Sequence, residues 1–365
     1  MLIKLELFLT ELVAIRSVNP RLVPGEKGEE EIAAYVARWL DEQGLDVQIF
    51  HTSPGRPNIV AIAHGSGGGK SLLLNGHIDT VGAGGMDDPF QPKLRNGRLY
   101  GRGAYDMKGG LAACMVAIAQ ARQLPLRGDV ILTAVVDEEY AGDGTMTVAG
   151  RVHADGAIIA EPTEEELIVA HGGFAWIELE TMGVAAHGSR PDLGVDAILE
   201  MGKALRGLDQ LRMALGSRRP HPLVGAPSLH TSIIRGGVEP ATYPDRCVLS
   251  IERRMVPGET AGQIDTEVQQ LLHDIKSSDP GFQAHLRIVM LRSPLETPAD
   301  ADITQAVRRA GETTLNKRVE NRGIRYWTDA ATLSSAGIPS VLFGPSGGGA
   351  HADEEWVDLD SVAAC

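Results

Sequence analysis

The chain has 365 residues, 43% hydrophobic and 22% charged, proportions that exclude a disordered, collagenous or coiled-coil protein. At about 150 residues per domain, this length predicts two domains. With 34 basic against 48 acidic side chains the net charge is -14, which sets nucleic acid and anionic membranes aside as partners.

Met1 to Pro20 carries Glu6 and Glu11 within its apolar run and has no small-residue cleavage site, so it predicts an amphipathic helix rather than a signal peptide. Lys27 to Leu40 places Ile32, Tyr35, Val36, Trp39 and Leu40 at helical spacing, and Gly44 supplies a stop. Apolar runs at Asn58 to Ala63 and Ser71 to Asn75 predict strands, with Gly65 to Ser71 as a hairpin turn. A helix over Lys108 to Gln123, then strands at Val130 to Val136 and Gly156 to Ala160, complete an alternation that predicts an α/β domain with a mixed, largely parallel sheet.

The rhythm changes after Gly172. Strand-like Phe174 to Gly183, helical Val195 to Leu215, strand-like Leu229 to Ile234 and Cys247 to Arg254, helical Thr260 to Ile275 and strand-like Phe282 to Met290 follow. That βαββαβ order predicts a smaller α/β sandwich. From Pro298 the first rhythm resumes, with a helix at Asp302 to Leu315, a strand at Ile338 to Phe343 and a last helix from Asp358. The chain therefore reads as a discontinuous domain, residues 1–172 and 293–365, interrupted by an insert at 173–292. No stretch approaches the ~20 apolar residues of a membrane span. Cys114, Cys247 and Cys365 form no paired spacing, which excludes a disulfide framework and fits a reducing cytoplasm.

Two glycine-rich motifs fail on context. Gly65 to Ser71 has His64 where a phosphate-binding loop needs glycine, and a strand where it needs a helix. Gly344, Ser346 and Gly348 match a serine nucleophile elbow, but too little chain follows for the helix, acid and histidine that such a site requires.

A set of carboxylates and imidazoles at strand ends carries more. His77 and Asp79 follow one strand, and Asp106 sits in the glycine-rich loop before a helix. Asp137, Glu138 and Glu139 follow Val130 to Val136, Glu161 follows Ile158 to Ala160, and His351 lies beyond Val341 to Phe343. In an open α/β sheet the carboxyl ends of the strands line the ligand crevice, so five segments converge there. Each acid alone is an ordinary cap or loop residue. Together, imidazole and carboxylate donors without cysteine suit zinc or a similar divalent ion in a catalytic site with open positions. Two histidines and several carboxylates suffice for two ions sharing one carboxylate.

Leu72 to Val81, Gly101 to Gly110, Asp137 to Gly142, Glu161 to Thr163, Ala186 to Ile198 and Gly344 to Val357 together resemble the six ordered motifs of a known family. This is the acetylornithine deacetylase, succinyl-diaminopimelate desuccinylase and glutamate carboxypeptidase family of co-catalytic zinc hydrolases. The resemblance implies a zinc-peptidase-like catalytic domain and an insert that serves as lid and dimerisation domain. It implies that Asp106 bridges two Zn2+ ions, with Co2+ or Mn2+ as alternatives, and that a cis peptide follows it. His77 and Glu161 would complete one ion site, Glu139 and His351 the other. Asp79 would orient the His77 ring, Glu138 would be the general base, and His187 would stabilise the oxyanion from the partner subunit of a homodimer.

The substrate implied is a small N-acyl amino acid or peptide-like molecule with a free carboxylate. Glu161, where the family's aminopeptidases have aspartate, favours a deacylase or carboxypeptidase. Arg254 matches a carboxylate clamp, with Arg253 beside it leaving the assignment open, and His230 on an insert strand is a further candidate contact. The remaining histidines, His51, His64, His153, His171, His221, His273 and His285, match no ligand position. A carboxypeptidase or dipeptidase is the alternative activity, and a non-catalytic binding protein on the same fold is the alternative class, opposed by the intact site residues. Three departures stand out. Ala241 stands where the family often has asparagine. The run Gly347 to Gly349 is either flexible or closely packed. The roughly seven residues of terminal helix before Cys365 are marginal alone, so a truncated C-terminus is expected.

Overall fold

The computed structural model describes residues 2–365, with side chains from Leu5 onward. The first elements are α1 (Leu2–Ala14), α2 (Glu30–Glu42), β1 (Asp46–Ser53), β2 (Arg56–Ala63), β3 (Leu72–His77), β4 (Lys93–Arg95), β5 (Arg98–Tyr100), α3 (Gly109–Ala121), β6 (Val130–Val135), α4 (Asp143–Ala149), β7 (Gly156–Ile159) and β8 (Leu167–His171). There follow β9 (Gly173–Met182), α5 (Ala197–Gly216), β10 (Ser228–Gly236), β11 (Arg246–Met255), α6 (Ala261–Ser278) and β12 (Ala284–Arg292). The last are β13 (Leu295–Glu296), α7 (Asp302–Leu315), β14 (Asn321–Ile324), α8 (Ala330–Ser335), β15 (Ser340–Leu342), β16 (Gly347–Gly348), β17 (Trp356–Asp358) and α9 (Leu359–Ala364). Among the described residues no helix is long and apolar enough to cross a membrane.

The chain divides into two compact units. The first comprises residues 1–169, 297–322 and 328–365, and the second 170–296 with 323–327. The short segment Gly323–Trp327 thus belongs with the insert rather than with the chain around it, and Trp327 meets Phe174 edge-on at 6.2 Å between ring centroids.

In the first unit the strands run in the order β1, β2, β6, β3, β7, β15, β8. The sheet is parallel only at its centre, where β6, β3, β7 and β15 align; β1, β2 and β8 join antiparallel. The expected hairpin at Gly65 to Ser71 does not exist, because β6 lies between β2 and β3. The loop instead donates Ser66 N–H and Gly67 N–H to the carbonyls of Leu126 and Arg127, 2.9 Å each. The hairpin that does form joins β1 to β2, and β1 escapes sequence reading because its residues alternate between exposed and half-buried. Strand β2, flanked on both sides, is buried at seven of its eight positions. Helix α2 buries Ile32, Ala33, Val36 and Leu40 in one core with Leu9, Leu12, Met115 and Ile118, each large aliphatic contributing about 1.5–3 kcal/mol.

The second unit realises the βαββαβ order as an antiparallel sheet β10, β11, β9, β12. Inward residues at every second position, Ala175, Ile177 and Leu179 on β9 and Leu249 and Ile251 on β11, pack with Met201, Ala204 and Leu208 of α5 and Ile264 and Val268 of α6. Asp196 caps α5 by accepting from Ile198 N–H and Leu199 N–H, and Thr260 with Gln263 forms a reciprocal capping box on α6.

Candidate active site

Parallel register places the first unit's chemistry at one edge. His77, the last residue of β3, pairs with Val135 of β6, and Asn75 pairs with Ile159 of β7, so Asp137 to Glu139 and Glu161 emerge beside His77. Asp106 comes from the turn Ala104–Lys108 before α3, and the Asp106–Met107 peptide is cis. His351 arrives beyond β16 with φ of 63°, and Asp137 turns the chain after β6 with φ of 70°. Such left-handed non-glycine residues cost of order 1–3 kcal/mol and persist where surroundings fix them.

Asp137 is fixed by three neighbours. Its carboxylate accepts from Asn19 Nδ2 at 3.1 Å, Arg56 Nη1 at 2.9 Å and Arg21 Nη1 at 2.7 Å. The run Gly347 to Gly349 is closely packed: a Cβ at Gly347 would lie 2.4 Å from the Trp356 carbonyl, and one at Gly349 1.8 Å from that of Glu354.

One carboxylate faces two imidazoles. His77 Nε2 lies 3.1 Å from Asp106 Oδ1, and His351 Nε2 lies 3.2 Å from Asp106 Oδ2 and 3.0 Å from Glu139 Oε2. His77 Nε2 is also 3.9 Å from Glu161 Oε1. Two sets, His77 with Glu138 and Glu161, and His77 with Asp106 and Glu139, each bring candidate ligand atoms within 4.8 Å of one another. Asp79 meets the His77 ring chiefly through its backbone. The ring donates from Nδ1 to the Asp79 carbonyl at 2.9 Å, with Asp79 Oδ1 3.6 Å from the same nitrogen, while the Asp79 carboxylate accepts Glu138 N–H and Glu139 N–H, 3.2 Å each, and Asn19 Nδ2 at 2.8 Å.

The electrostatics are those of crowded negative charge. Burial, then the charge of Glu161, raises Glu138 well above the carboxylate range. Burial, reinforced by Asp106 and Glu139 and opposed by His77, does the same for Glu161, and burial beside Asp106 brings Glu139 to about 7. Asp106 stays low despite burial because His351 and His77 hold it ionised. Hydrogen bonds to Asp106 and Glu139 raise His351 to about 10. His77 is likewise raised well above its usual value, its bond to Asp106 and the surrounding carboxylates outweighing burial.

This donor set fits divalent cations. Glu139 Oε1 and Glu161 Oε1 are buried without a hydrogen-bond partner, an arrangement that costs free energy unless something positive meets them. His77, Asp106, Glu138, Glu139, Glu161 and His351 could hold two such ions, consistent with the all-oxygen-and-imidazole chemistry of open catalytic sites.

The other candidates lie in the second unit. His187 sits on a loop bridged to Thr242, and its Nδ1 accepts Ser189 N–H at 3.2 Å and faces Ser189 Oγ at 2.8 Å. A backbone N–H can only donate, so the neutral ring carries its proton on Nε2. The adjacent arginines differ in their surroundings. Arg253 is buried, bound to Glu259 and Glu267, whereas Arg254 is 41% exposed, 5.7 Å from the Phe174 ring centroid and 3.0 Å from Glu252. His230 faces the same Glu252 at 3.4 Å. Sequence reasoning passed over Glu252, although its place two residues before Arg254 on a strand puts both on one face. It also passed over Asn19, which lies outside every motif segment, and Glu355, whose only signal is its place within Gly344 to Val357.

Comparison with known proteins agrees with this geometry. Residues 73–365 match the model of peptidase family M20/M25/M40. An acetylornithine deacetylase of Myxococcus xanthus is 28% identical, over 98% of this chain and 93% of that one. An N-formyl-4-amino-5-aminomethyl-2-methylpyrimidine deformylase of Halalkalibacterium halodurans is 30% identical, over 92% and 86%. A tripeptidase from Staphylococcus aureus shares the fold, with a TM-score of 0.80 at 21% identity over 100% and 95% of the two chains. The chain belongs to peptidase family M20/M25/M40 and is an amide-bond hydrolase.

Proposed function

We propose that this chain is a cytoplasmic, homodimeric dizinc deacylase that cleaves the amide bond of an N-acyl amino acid or similar small substrate with a free carboxylate. The observation that carries the reading is Asp106, a half-buried carboxylate set between the His77 and His351 imidazoles, with Glu138 grouped beside His77 and Glu161. His77, Asp106 and Glu161 would hold one ion, and Asp106, Glu139 and His351 the other; Co2+ or Mn2+ would suit the same donors. When bound, the ions supply Lewis acidity to a water and to the scissile carbonyl.

Glu138 takes a proton from the attacking water and delivers it to the leaving amine, work suited to a carboxyl whose pKa burial has raised. Asp79 fixes the backbone from which Glu138 projects. His187 offers Nε2–H to the oxyanion, supplied by the other subunit, and Arg254 binds the substrate carboxylate with His230 nearby. The dimerisation role of the insert is supported by β10, an edge strand that exposes Ile233 and Ile234. Three free thiols among the described residues support a reducing compartment.

The test is a panel of N-acetyl, N-succinyl and N-formyl amino acids with dipeptides, offered after reconstitution with zinc, cobalt or manganese. Metal-dependent release of a free amine from an N-acyl amino acid supports the deacylase. Cleavage of dipeptides alone replaces it with a peptidase.

A further inference from the structure

Glu355 lies four residues beyond His351, is 1% exposed, and its carboxylate is spent on another segment. Oε1 accepts Tyr105 N–H at 2.9 Å and Asp106 N–H at 3.0 Å; Oε2 accepts Gly103 N–H at 3.0 Å and Arg102 Nη1 at 2.8 Å. One side chain therefore meets three backbone donors of the turn that carries Asp106. Arg102, equally buried, completes a tie among loops: its Nε donates to the Gly82 carbonyl at 3.1 Å and its Nη2 to the Ala352 carbonyl at 2.9 Å. Gly82 is three residues after Asp79, and Ala352 adjoins His351.

We propose that Glu355 is a positioning residue for the metal site. Together with Arg102, it holds the Asp106 turn at a fixed spacing from the His77 and His351 segments so that one carboxylate can serve two ions. The physical need is plain. Asp106 sits on a wide turn closed by Lys108 N–H to the Gly103 carbonyl at 2.9 Å, but its own backbone is non-helical (φ -112°, ψ 96°) and its N–H goes to Glu355, so its direction depends on what receives the turn's N–H groups. An ionised carboxylate accepts four hydrogen bonds and carries the charge that balances buried Arg102. Glutamine in its place would keep one accepting oxygen, turn an amide N–H2 toward an N–H donor, and leave Arg102 without a counter-charge.

The inference rests on the proposed two-ion reading, and the experiment separates the two. Zinc affinity is measured by competition with a chromophoric chelator on wild-type chain, Glu355→Gln and the neighbouring exposed control Glu354→Gln, with folding of the metal-free proteins followed by circular dichroism and thermal melting. Folded Glu355→Gln is expected to bind zinc about 10- to 100-fold more weakly than wild type, and Glu354→Gln to match wild type. A purely structural Glu355 would lower the melting temperature and leave the zinc affinity of the folded protein unchanged, which overturns the inference alone. A wild-type chain that binds no zinc overturns the two-ion reading and this inference with it. If Glu355→Gln does not fold, Arg102→Lys, which keeps the charge and loses the planar fork, is expected to weaken zinc binding in the same direction, and wild-type affinity in that folded variant again refutes the role.

Discussion

The carboxylate of Asp79 receives the backbone N–H of Glu138 at 3.2 Å, so the residue proposed as general base hangs from a turn that a buried acid holds in place. The same carboxylate takes Glu139 N–H, which aims consecutive glutamates from one anchored peptide. Asp79→Asn would put an amide N–H2 against one of these donors. The expected outcome is a loss of about 1–3 kcal/mol in stability of the metal-free chain, read by denaturant unfolding, with turnover falling at least tenfold. Unchanged stability and turnover would mean that the turn holds itself.

Glu138→Gln keeps the shape of the side chain and removes its proton acceptor. Turnover is expected to fall about 10²- to 10⁴-fold while the metal content of the purified protein stays the same. Loss of metal instead would make Glu138 a ligand, an outcome its grouping with His77 and Glu161 makes worth measuring.

The two adjacent arginines should separate cleanly. Arg253→Ala removes the buried cation shared by Glu259 and Glu267, which keep only the more exposed Arg218, and is expected to destabilise the chain by about 1–3 kcal/mol. Arg254→Ala should spare stability and raise KM chiefly for substrates with a free carboxylate; an equal rise for amidated analogues would reject the clamp.

His171 gives a pH prediction away from the metal site. It is fully buried, its Nδ1–H donates to the Gly172 carbonyl at 2.8 Å, Nε2 has no partner, and burial lowers its pKa from 6.5 to about 4. The unfolded chain therefore binds a proton at a higher pH than the folded one. Stability from this group is complete above pH 6.5 and is lost as pH falls towards 4, by about 3 kcal/mol in all. Denaturation midpoints across this range should fall more steeply for wild type than for His171→Leu, and parallel curves would show the ring to be charged when folded.

Much of this architecture is legible in the sequence, for identifiable reasons. The helix at Asp302 to Leu315 and the insert strands show clean periodicity because each buries one face against a single neighbouring layer. Hydrophobic runs such as Val130 to Val135 mark central strands covered on both faces. Pairing order is not written in such runs, so the connection at Gly65 to Ser71 reads as a hairpin although β6 intervenes. Ligand candidates stand out because strand ends followed by acids or imidazoles are chemically distinctive. Their supports do not: Glu355 and Asn19 act through backbone groups and carboxylates far away in sequence, and local composition carries no trace of such partners.

The cluster around Asp106 is proposed to hold two divalent ions. Elemental analysis of zinc per chain, after loading and removal of free metal, tests it directly when wild type is compared with Asp106→Asn. Two zinc ions per wild-type chain, falling below one in a folded Asp106→Asn variant, is the predicted result. A wild-type chain that retains no zinc, or an Asp106→Asn chain that retains both ions, would contradict it.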